Sequence, residues 1–256
     1  MSILGLFRMD GEVALITGGG GGLGSAIARA FADCGADVAV VGRTAATLEK
    51  VRTEVEARGR KCAVIACDVT APGASETMVS DCIAQLGKLT VLVNNVGGIA
   101  GDERPLPALE MTDQSWTAQL DVNLSSVWRL TKAAVARMPQ GGNIINMSSI
   151  KAFKPSGGSG AYAAAKAAVN NLTVALSSDL APRFRVNAIA PGPVPTDAFM
   201  TKRNVTEADF PRVAQEWGIP LGRLGTPNDI ACVALLLASP AGSWITGQTI
   251  VVAGGM

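Results

Sequence analysis

The chain has 256 residues, of which 48% are hydrophobic and 17% are charged, so it can bury a sizeable core and is not intrinsically disordered. Its formal charge of +1 provides no global attraction to nucleic acid or to an anionic membrane surface, so neither is predicted as a partner. The absence of histidine excludes Ser-His-Asp and Cys-His catalytic arrangements and histidine-ligated zinc sites, so no metal is predicted and proton chemistry must use other side chains.

Short apolar runs alternate with longer helical patterns along the chain. The runs predicted to be strands are Val13–Thr17, Asp37–Val41, Ala63–Ala66, Val91–Asn94, Asn143–Met147, Arg185–Ile189 and Thr249–Val252. The segments predicted to be helices are Ala26–Cys34, Ala45–Arg58, Ser75–Leu86, Gln114–Met138, Ala161–Leu180 and Asp229–Ala238. This alternation produces βαβ units, and strands rich in Val, Ile, Leu and Ala are typical of a parallel sheet covered on both faces. The sequence therefore predicts an α/β fold with a doubly wound parallel sheet and helices on both faces.

The segment at about 191–225 interrupts the alternation. It begins with a proline-rich turn between Pro191 and Thr196 and then carries several large apolar side chains. We interpret it as a mobile insertion, or lid, over the end of the sheet that would carry an active site, although an ordinary surface excursion fits the sequence equally well. Because no linker or change in composition divides the chain, residues 1–256 are predicted to form a single domain.

The cysteines and the apolar segments bear on the location of the protein. The five cysteines form no C-x-x-C pair and lie in apolar surroundings, which is typical of buried thiols in a reducing compartment. No segment approaches the roughly 20 apolar residues that a membrane-spanning helix needs. The N-terminus lacks the basic region and cleavage pattern of a secretory signal. These features predict a cytoplasmic protein.

Five consecutive glycines, Gly18–Gly22, follow the first predicted strand and precede Leu23 and Gly24. A glycine turn between a strand and a helix N-terminus favours anions, because backbone N–H groups and the helix dipole point at the ligand. The lysine that a P-loop requires is missing, which favours the pyrophosphate of a dinucleotide, while a merely flexible turn is the alternative. Three glycine spacings fit equally: Gly19, Gly21 and Gly24; Gly18, Gly22 and Gly24; or Gly18, Gly21 and Gly24.

The end of the second predicted strand indicates which dinucleotide is bound. Recognition of the ribose hydroxyls of NAD requires an acidic residue about 20 residues after the glycines. None is present between Val41 and Thr44, where Arg43 instead offers a guanidinium suited to a 2′-phosphate. We therefore predict NADP(H) as the preferred cofactor. NAD(H) is the alternative if Arg43 is simply a solvated residue at the end of a strand.

The strongest local signal is Tyr162-Ala163-Ala164-Ala165-Lys166, which contains the chain's only tyrosine. Positions i and i+4 share one face of a helix, so the phenol and the ammonium can meet at one site. Free phenol has a pKa near 10, and a nearby cation would favour the phenolate and lower that pKa. Ser149 lies 13 residues upstream of Tyr162, just after the predicted strand Asn143–Met147.

Together these motifs make the chain resemble the short-chain dehydrogenase/reductase family over nearly its whole length. The matching residues are Thr17-Gly18-x-x-x-Gly22-x-Gly24, Asp68-Val69, Asn94-Asn95-Val96-Gly97, Asn123, Ser149, Tyr162-x-x-x-Lys166, Pro191-Gly192 and Thr246-Gly247-Gln248. The resemblance implies a Rossmann-type, single-domain fold and the glycine spacing Gly18, Gly22 and Gly24. Ala253 departs from the aspartate that is common in the family, and this difference is expected to affect only C-terminal packing.

The resemblance also implies roles for individual residues. Tyr162 would be the general acid in reduction and the general base in oxidation, while Ser149 would hydrogen-bond the reacting oxygen. Lys166 would lower the Tyr162 pKa and hold the nicotinamide ribose, and Asn123 would support a water that relays protons to Lys166. Taken singly, Asn123 and Ser149 could be ordinary helix and turn residues, and their joint placement argues against coincidence. The implied cofactor-binding residues are Gly18, Gly22, Leu23, Gly24, Arg43, Thr44, Asp68, Val69, Asn95, Gly97, Tyr162, Lys166, Pro191, Gly192, Val194 and Thr196.

The predicted activity is reversible hydride transfer between NADP(H) and a ketone or secondary alcohol. The pattern is similar to bacterial 3-oxoacyl-thioester reductases and hydroxysteroid dehydrogenases, and a non-catalytic NADP(H)-binding sensor or scaffold is the alternative. The family resemblance also implies a homo-oligomer, either a tetramer or a dimer. The apolar majority of the candidate substrate residues suits a hydrophobic ketone, although simple lid packing would explain them equally well. These candidates are Ile99, Lys151, Phe153, Met200 and Trp217, with Val194 and Phe199 beside them.

Overall fold

The β-strands form one parallel sheet. A computed structural model describes residues 2–98, 106–138 and 142–256, and within these ranges the sheet has seven strands in the order β3-β2-β1-β4-β5-β6-β7. All neighbouring strands pair in parallel. The strands are β1 (Val13–Thr17), β2 (Asp37–Gly42), β3 (Cys62–Ala66), β4 (Val91–Asn94), β5 (Gly142–Met147), β6 (Phe184–Pro191) and β7 (Thr249–Val252). The predicted doubly wound parallel sheet is confirmed.

Helices connect the strands and cover both faces of the sheet. They are α1 (Gly22–Asp33), α2 (Ala45–Glu56), α3 (Ala74–Leu86), α4 (Asp113–Leu120), α5 (Ser126–Val135), α6 (Gly160–Asp179), α7 (Asp197–Arg203), α8 (Phe210–Glu216) and α9 (Pro227–Ala238). None of these described helices combines the length and the apolar composition needed to cross a bilayer.

The two faces of the sheet have separate apolar cores, which follow from the alternation of side chains along β1. Ala14 and Ile16 pack in a cluster with side chains of α1 and α9. Val13 and Leu15 point to the other face and pack with side chains of α3 and α5. Burying a side chain of the size of Leu or Ile stabilises the fold by about 1.5–3 kcal/mol, so both helical layers are fixed to the strands that carry the site.

The strand order reverses at β1. The chain leaves β1 to form β2 on one side, where Thr17 pairs with Val41, and later returns to form β4 on the other side, where Ile16 pairs with Val93. In open α/β sheets such a reversal leaves a crevice beyond the carboxyl ends of the strands, where ligands bind. The glycine run that follows Thr17 therefore lies at the mouth of that crevice.

Two predicted helices differ from the structure in ways that shape the site. The helix after the glycine run begins at Gly22 rather than at Ala26, so Gly22 and Gly24 belong to its first turn. The single helix predicted for Gln114–Met138 is instead divided into α4 and α5 by one π-helical turn at Asp121–Ser125. Such turns hold one extra residue, which periodicity in a sequence does not reveal, and they occur often at functional sites. The other predicted elements agree with the structure to within two residues.

The segment at 191–225 has more regular structure than the sequence predicts. It contains α7 and α8, which were not predicted, and Thr196 caps α7 by accepting a hydrogen bond from Phe199 N at 3.3 Å. Its buried side chains form a small apolar cluster of their own, made of Val213, Ala214, Ile219 and Leu224. The segment is therefore a folded layer with its own packing beside the sheet.

Candidate active site

A long cleft runs along the carboxyl ends of the strands. Its first part is a cavity of about 670 Å³ beyond β1, β2 and β3, and its second part is a cavity of about 410 Å³ beyond β5 and β6. Both parts share Asn95, Gly97 and Gly98, so they are continuous. The first part is lined by Gly18, Gly42, Arg43, Cys67, Asp68, Val69, Thr70, Val96, Ala118, Asp121 and Val122. The second part is lined by Leu23, Met147, Ser148, Ser149, Tyr162, Lys166, Pro191, Gly192, Val194, Thr196 and Phe199.

The glycine turn at the centre of the cleft can exist only with glycine at particular positions. Gly18 has a φ of +64°, which favours glycine. A Cβ on Gly24 would collide with the carbonyl oxygen of Gly18 and lie 2.8 Å from Asn95 Nδ2. The N-cap residue of α1 is Gly21, whose lack of a capping side chain leaves the first N–H groups of the helix to a ligand. This backbone cradle fits the pyrophosphate of a dinucleotide.

Asn95 holds the cradle in place. Its side-chain Nδ2 donates to Thr17 O at 2.9 Å and to Gly18 O at 3.3 Å. Its backbone N–H and that of Val96 both donate to Thr17 Oγ1, at 2.9 and 3.0 Å. Asn95 was predicted to bind the cofactor, and this role stays a prediction. Both of its amide hydrogens are used within the protein, so the residue lines the cleft and supports the shape of the glycine turn.

The first part of the cleft places a cation beside an acid. Arg43 and Asp68 both line it, and Asp68 Oδ1 accepts hydrogen bonds from Thr70 N at 2.9 Å and Thr70 Oγ1 at 2.7 Å. These bonds lower the pKa of Asp68, and the charge of Arg43 adds to the effect. Thr44, also predicted to bind the cofactor, is the N-cap of α2 and is not among the described residues that line the cleft.

Ser149, Tyr162 and Lys166 meet in the second part of the cleft. Ser149 follows the end of β5, and Tyr162 and Lys166 lie one turn apart on α6. Lys166 is only 2% exposed, and its Nζ donates to Met147 O at 2.7 Å. Lys166 Nζ lies 5.9 Å from the centre of the Tyr162 ring. The predicted convergence of a hydroxyl, a phenol and an amine on one wall is therefore present.

Burial is the largest influence on the pKa values of Tyr162 and Lys166. It lowers the pKa of Lys166 to about 8. It also raises the pKa of Tyr162, and a hydrogen bond with Ser149 acts in the opposite direction. Desolvation of the phenol is therefore the larger effect on the Tyr162 pKa and Ser149 supplies the opposing interaction, while the lowering of this pKa by the Lys166 ammonium stays a prediction.

Asn123 acts on the loop after β4. It is fully buried in the π-helical turn, where its Oδ1 accepts from Gly98 N at 2.9 Å and its Nδ2 donates to Gly98 O at 2.8 Å and to Gln119 O at 3.0 Å. Gln119 Nε2 also donates to Gly98 O, at 2.7 Å. A Cβ on Gly97 would lie 2.7 Å from Lys166 Nζ and 2.9 Å from Asn123 Oδ1. Asn123 therefore fixes the glycine loop against Lys166, and its water-relay role stays a prediction.

The proline-rich turn after β6 closes the far side of the cleft. A Cβ on Gly22 would lie 3.0 Å from Thr196 Cγ2, so this turn packs directly on the N-terminus of α1. On the opposite side, a Cβ on Gly192 would lie 2.7 Å from the Cα of Ala253, and Gly192 N donates to Val252 O at 2.9 Å. Ala253 therefore affects the packing of the C-terminus against this turn.

Only some of the predicted substrate residues line the cleft. Of these, Phe199 and Val194 line the cleft, and Ile99 lies outside the described residues. The remaining four are not among the described lining residues: Lys151, Phe153, Met200 and Trp217. Lys151 Nζ donates to Ser156 Oγ at 2.6 Å, and Trp217 packs edge-on against Phe199 with ring centres 5.9 Å apart. Trp217 thus supports a lining residue from behind.

Several lining residues were not predicted. Cys67, Thr70 and Gly42 border the first part of the cleft, and Ala118, Asp121 and Val122 reach it from α4 and the π-helical turn. Cys67 and Thr70 flank the predicted pair Asp68 and Val69, so the end of β3 would have been sufficient to find them. The residues around Asp121 have no comparable local signal.

The buried lysine predicts a pH dependence of stability. The Lys166 pKa is 10.5 in its unperturbed state and about 8 in the fold, so between these values the unfolded chain binds more protons. Stability should therefore rise as the pH increases through this window, by at most on the order of 3 kcal/mol. In urea unfolding at pH 7.5 and pH 10, the free energy of unfolding of Lys166→Met relative to wild type should fall at the higher pH.

The comparison with Lys166→Met removes the contribution of other groups. Burial raises the pKa of Cys62 and of Cys82 to about 12, and these thiols destabilise the fold at alkaline pH in both proteins alike. A difference between wild type and Lys166→Met that does not change with pH would contradict the assignment of a buried, easily deprotonated ammonium.

The chain is similar to known proteins over nearly its whole length. Residues 19–256 match a family model described as enoyl-(acyl carrier protein) reductase. An uncharacterised oxidoreductase of Mycobacterium tuberculosis is 42% identical over 99% of this chain and 95% of that protein. A 3-oxoacyl-[acyl-carrier-protein] reductase of Chlamydia muridarum is 36% identical over 96% of this chain and 97% of that protein.

A solved structure shows the same fold with ligands bound. It is a 7α-hydroxysteroid dehydrogenase complexed with NADH and 7-oxo glycochenodeoxycholic acid, 35% identical to this chain. The superposition has a TM-score of 0.90 and covers 100% of this chain and 98% of that chain. The chain therefore belongs to the short-chain dehydrogenase/reductase family and is an NAD(P)-dependent oxidoreductase that acts on CH–OH groups.

Proposed function

We propose that the protein interconverts a ketone and a secondary alcohol with NADP(H) as the preferred cofactor. The observation that carries this proposal is the convergence of Ser149, Tyr162 and Lys166 on one wall of a cavity that continues into the glycine cradle. A general acid and a dinucleotide site must adjoin for a proton and a hydride to reach the two ends of one carbonyl group.

Each of the three side chains has a distinct task. In reduction, the Tyr162 hydroxyl gives its proton to the substrate oxygen, and in oxidation the Tyr162 phenolate takes that proton from the alcohol. Ser149 donates a hydrogen bond to the same oxygen and holds it beside Tyr162. Lys166, whose Nζ donates to Met147 O, holds the nicotinamide ribose of the bound cofactor. When bound, the nicotinamide of the cofactor supplies or accepts the hydride at the substrate carbon.

The proposed preference for NADP(H) rests on Arg43. Its guanidinium lines the first part of the cleft, next to the end of β2. An arginine can bind a phosphate with two parallel hydrogen bonds, whereas the ribose hydroxyls of NAD need an acceptor. Asp68 is the nearby acid, but it is engaged with Thr70, so it competes weakly for Arg43.

Replacing Arg43 by glutamine should reverse or abolish the cofactor preference. We expect kcat/KM for NADPH to fall by roughly 10- to 100-fold, because a charge-assisted hydrogen bond is lost, while the value for NADH changes little. Arg52→Gln is the matched control, since Arg52 lies on α2 and pairs with Glu49 at 2.8 Å. Equal losses with both cofactors in Arg43→Gln, or a wild-type preference for NADH, would show that Arg43 does not select the cofactor.

The apolar side of the catalytic cavity supports a hydrophobic ketone. Val194 and Phe199 provide this surface, and both belong to the segment at 191–225, which we propose to act as a lid over bound substrate. Two relatives of this chain are named for 3-oxoacyl and for hydroxysteroid chemistry. Oxidation of NADPH and of NADH should therefore be assayed with an acetoacetyl thioester and with bulky steroid or cyclic ketones. Dinucleotide binding without turnover of any ketone would contradict the proposed activity and favour a sensor.

We also propose that the protein is a cytoplasmic homo-oligomer, either a dimer or a tetramer. Exposed tryptophans support self-association, with Trp128 on α5 about half exposed and Trp244, next to edge strand β7, almost fully exposed. All five cysteines are free thiols, as expected in a reducing compartment.

A further inference from the structure

One arginine of the 191–225 segment is stacked on two aromatic rings. The Cζ atom of Arg203 lies 5.4 Å from the centre of the Phe199 ring and 4.6 Å from the centre of the Trp217 ring. The two rings meet edge to face at an angle of 76°. The exposed guanidinium is thus held in position by two half-buried rings rather than by a carboxylate.

The other two arginines of this segment form ion pairs with carboxylates. Arg212 contacts Asp209 at 3.0 Å and Glu216 at 2.7 Å, and Arg223 contacts Asp229 at 2.8 Å. Among the residues that the structure describes, Arg203 forms no ion pair. A guanidinium that is fixed by aromatic stacking keeps its N–H donors available for an anion.

Phe199 connects this cation to the catalytic cavity. The ring of Phe199 lines the same cavity as Ser149 and Tyr162, and Arg203 lies four residues later on α7. Residues four apart on a helix are neighbours on one face, so the guanidinium lies one aromatic ring away from the cavity that contains the reacting groups. A substrate with its carbonyl at Tyr162 and an apolar body along Phe199 would extend toward Arg203.

We propose that Arg203 determines specificity by binding an anionic group at the far end of an apolar ketone substrate. This inference rests on the proposed ketone reductase function and adds the charge of the substrate to it. A carboxylate and a phosphate share the chemistry required, since both accept two parallel hydrogen bonds from a guanidinium. Phe199 and Trp217 keep the guanidinium in place, and Phe199 presents an apolar surface to the substrate body.

The test uses an apolar ketone that ends in a carboxylate, the primary amide of the same compound, and a phosphate monoester of the same length. For the wild type, kcat/KM should be roughly tenfold higher with either anionic ketone than with the amide, mainly through KM. Arg203→Gln should lose this difference, with the amide unaffected, and Arg203→Lys should keep part of it. Arg212→Gln is the matched control and should behave like the wild type. A larger effect with the carboxylate or with the phosphate identifies the natural anion.

Three results would overturn the inference. One is a wild type that handles the amide and the anionic ketones equally well. Another is an Arg203→Gln variant that loses activity with all three compounds alike, which would assign Arg203 to the packing of α7 on Trp217. The third comes from calorimetric titration of the cofactor-loaded protein, if the carboxylate ketone binds wild type and Arg203→Gln equally. Because this titration needs no turnover, it tests the inference even if the proposed reductase activity fails.

Discussion

Tyr162→Phe is expected to lower kcat by about 10³-fold with any ketone substrate, because it removes the proton that must reach the substrate oxygen. Tyr162 is the only tyrosine in the chain, and the cavity that it lines contains no histidine to replace it. Lys166 lies on the same wall, but its Nζ donates to Met147 O. The measurement is steady-state oxidation of NADPH by the variant and the wild type.

The same variant separates catalysis from binding. Phenylalanine keeps the aromatic ring and removes only the hydroxyl, so the dissociation constant for NADPH and the unfolding temperature should stay close to those of the wild type. Ser149→Ala should also slow turnover, but adding it to Tyr162→Phe should cost little more, since both hydroxyls act on one oxygen. A Tyr162→Phe enzyme that retained a tenth of the wild-type kcat would contradict the assignment of Tyr162 as the general acid.

The parts of the site that were predictable from sequence are those that depend on local spacing. Tyr162 and Lys166 are four residues apart on a helix, and this alone places them on one face. Arg43 directly follows a strand, which places it at the carboxyl edge of the sheet. In each case one secondary-structure element is sufficient to position the side chain.

The roles of Asn95 and Asn123 were not predictable in this way. Asn95 bonds Thr17 and Gly18, and Asn123 bonds Gly98, so each amide acts on a segment that is distant in sequence. Asn123 also lies in the π-helical turn, where an extra residue changes which side chains face the cleft. The raised pKa of Tyr162 has a similar origin, because it depends on burial by several elements at once.

The glycine run likewise combines a feature that the sequence predicts, the turn itself, with one that it does not, the surroundings of each glycine. All of its glycines are equivalent in the sequence, but a methyl group would meet different surroundings at each in the structure. At Gly19 a Cβ would lie 2.8 Å from Val40 Cβ, in the packing of β2. At Gly21 it would have nothing within 4 Å, and the backbone there is extended, with a φ of −177°. The run therefore contains both replaceable and irreplaceable glycines.

Gly24→Ala should destabilise the protein and Gly21→Ala should change its stability little, although each variant adds one methyl group at the same strand–helix junction. The methyl of Gly24→Ala meets the carbonyl oxygen of Gly18 and Asn95 Nδ2, neither of which can move without breaking the bonds that hold the cradle. Such overpacking costs about 1–3 kcal/mol and should lower the unfolding temperature by several degrees.

Gly24→Ala should also lose affinity for the dinucleotide, whereas Gly21→Ala should keep it. The displaced Gly18 carbonyl in Gly24→Ala would reshape the backbone that faces the pyrophosphate, so the dissociation constant for NADPH should rise at least roughly tenfold, as expected when positioned phosphate contacts are lost. Gly21→Ala should bind almost normally, since alanine costs only part of the N-cap preference there. Titration of both variants with NADPH, beside thermal unfolding without it, makes the comparison. Equal losses would mean that the run acts through flexibility, whereas loss in Gly24→Ala alone would mean that close backbone contact at Gly18 forms the phosphate site.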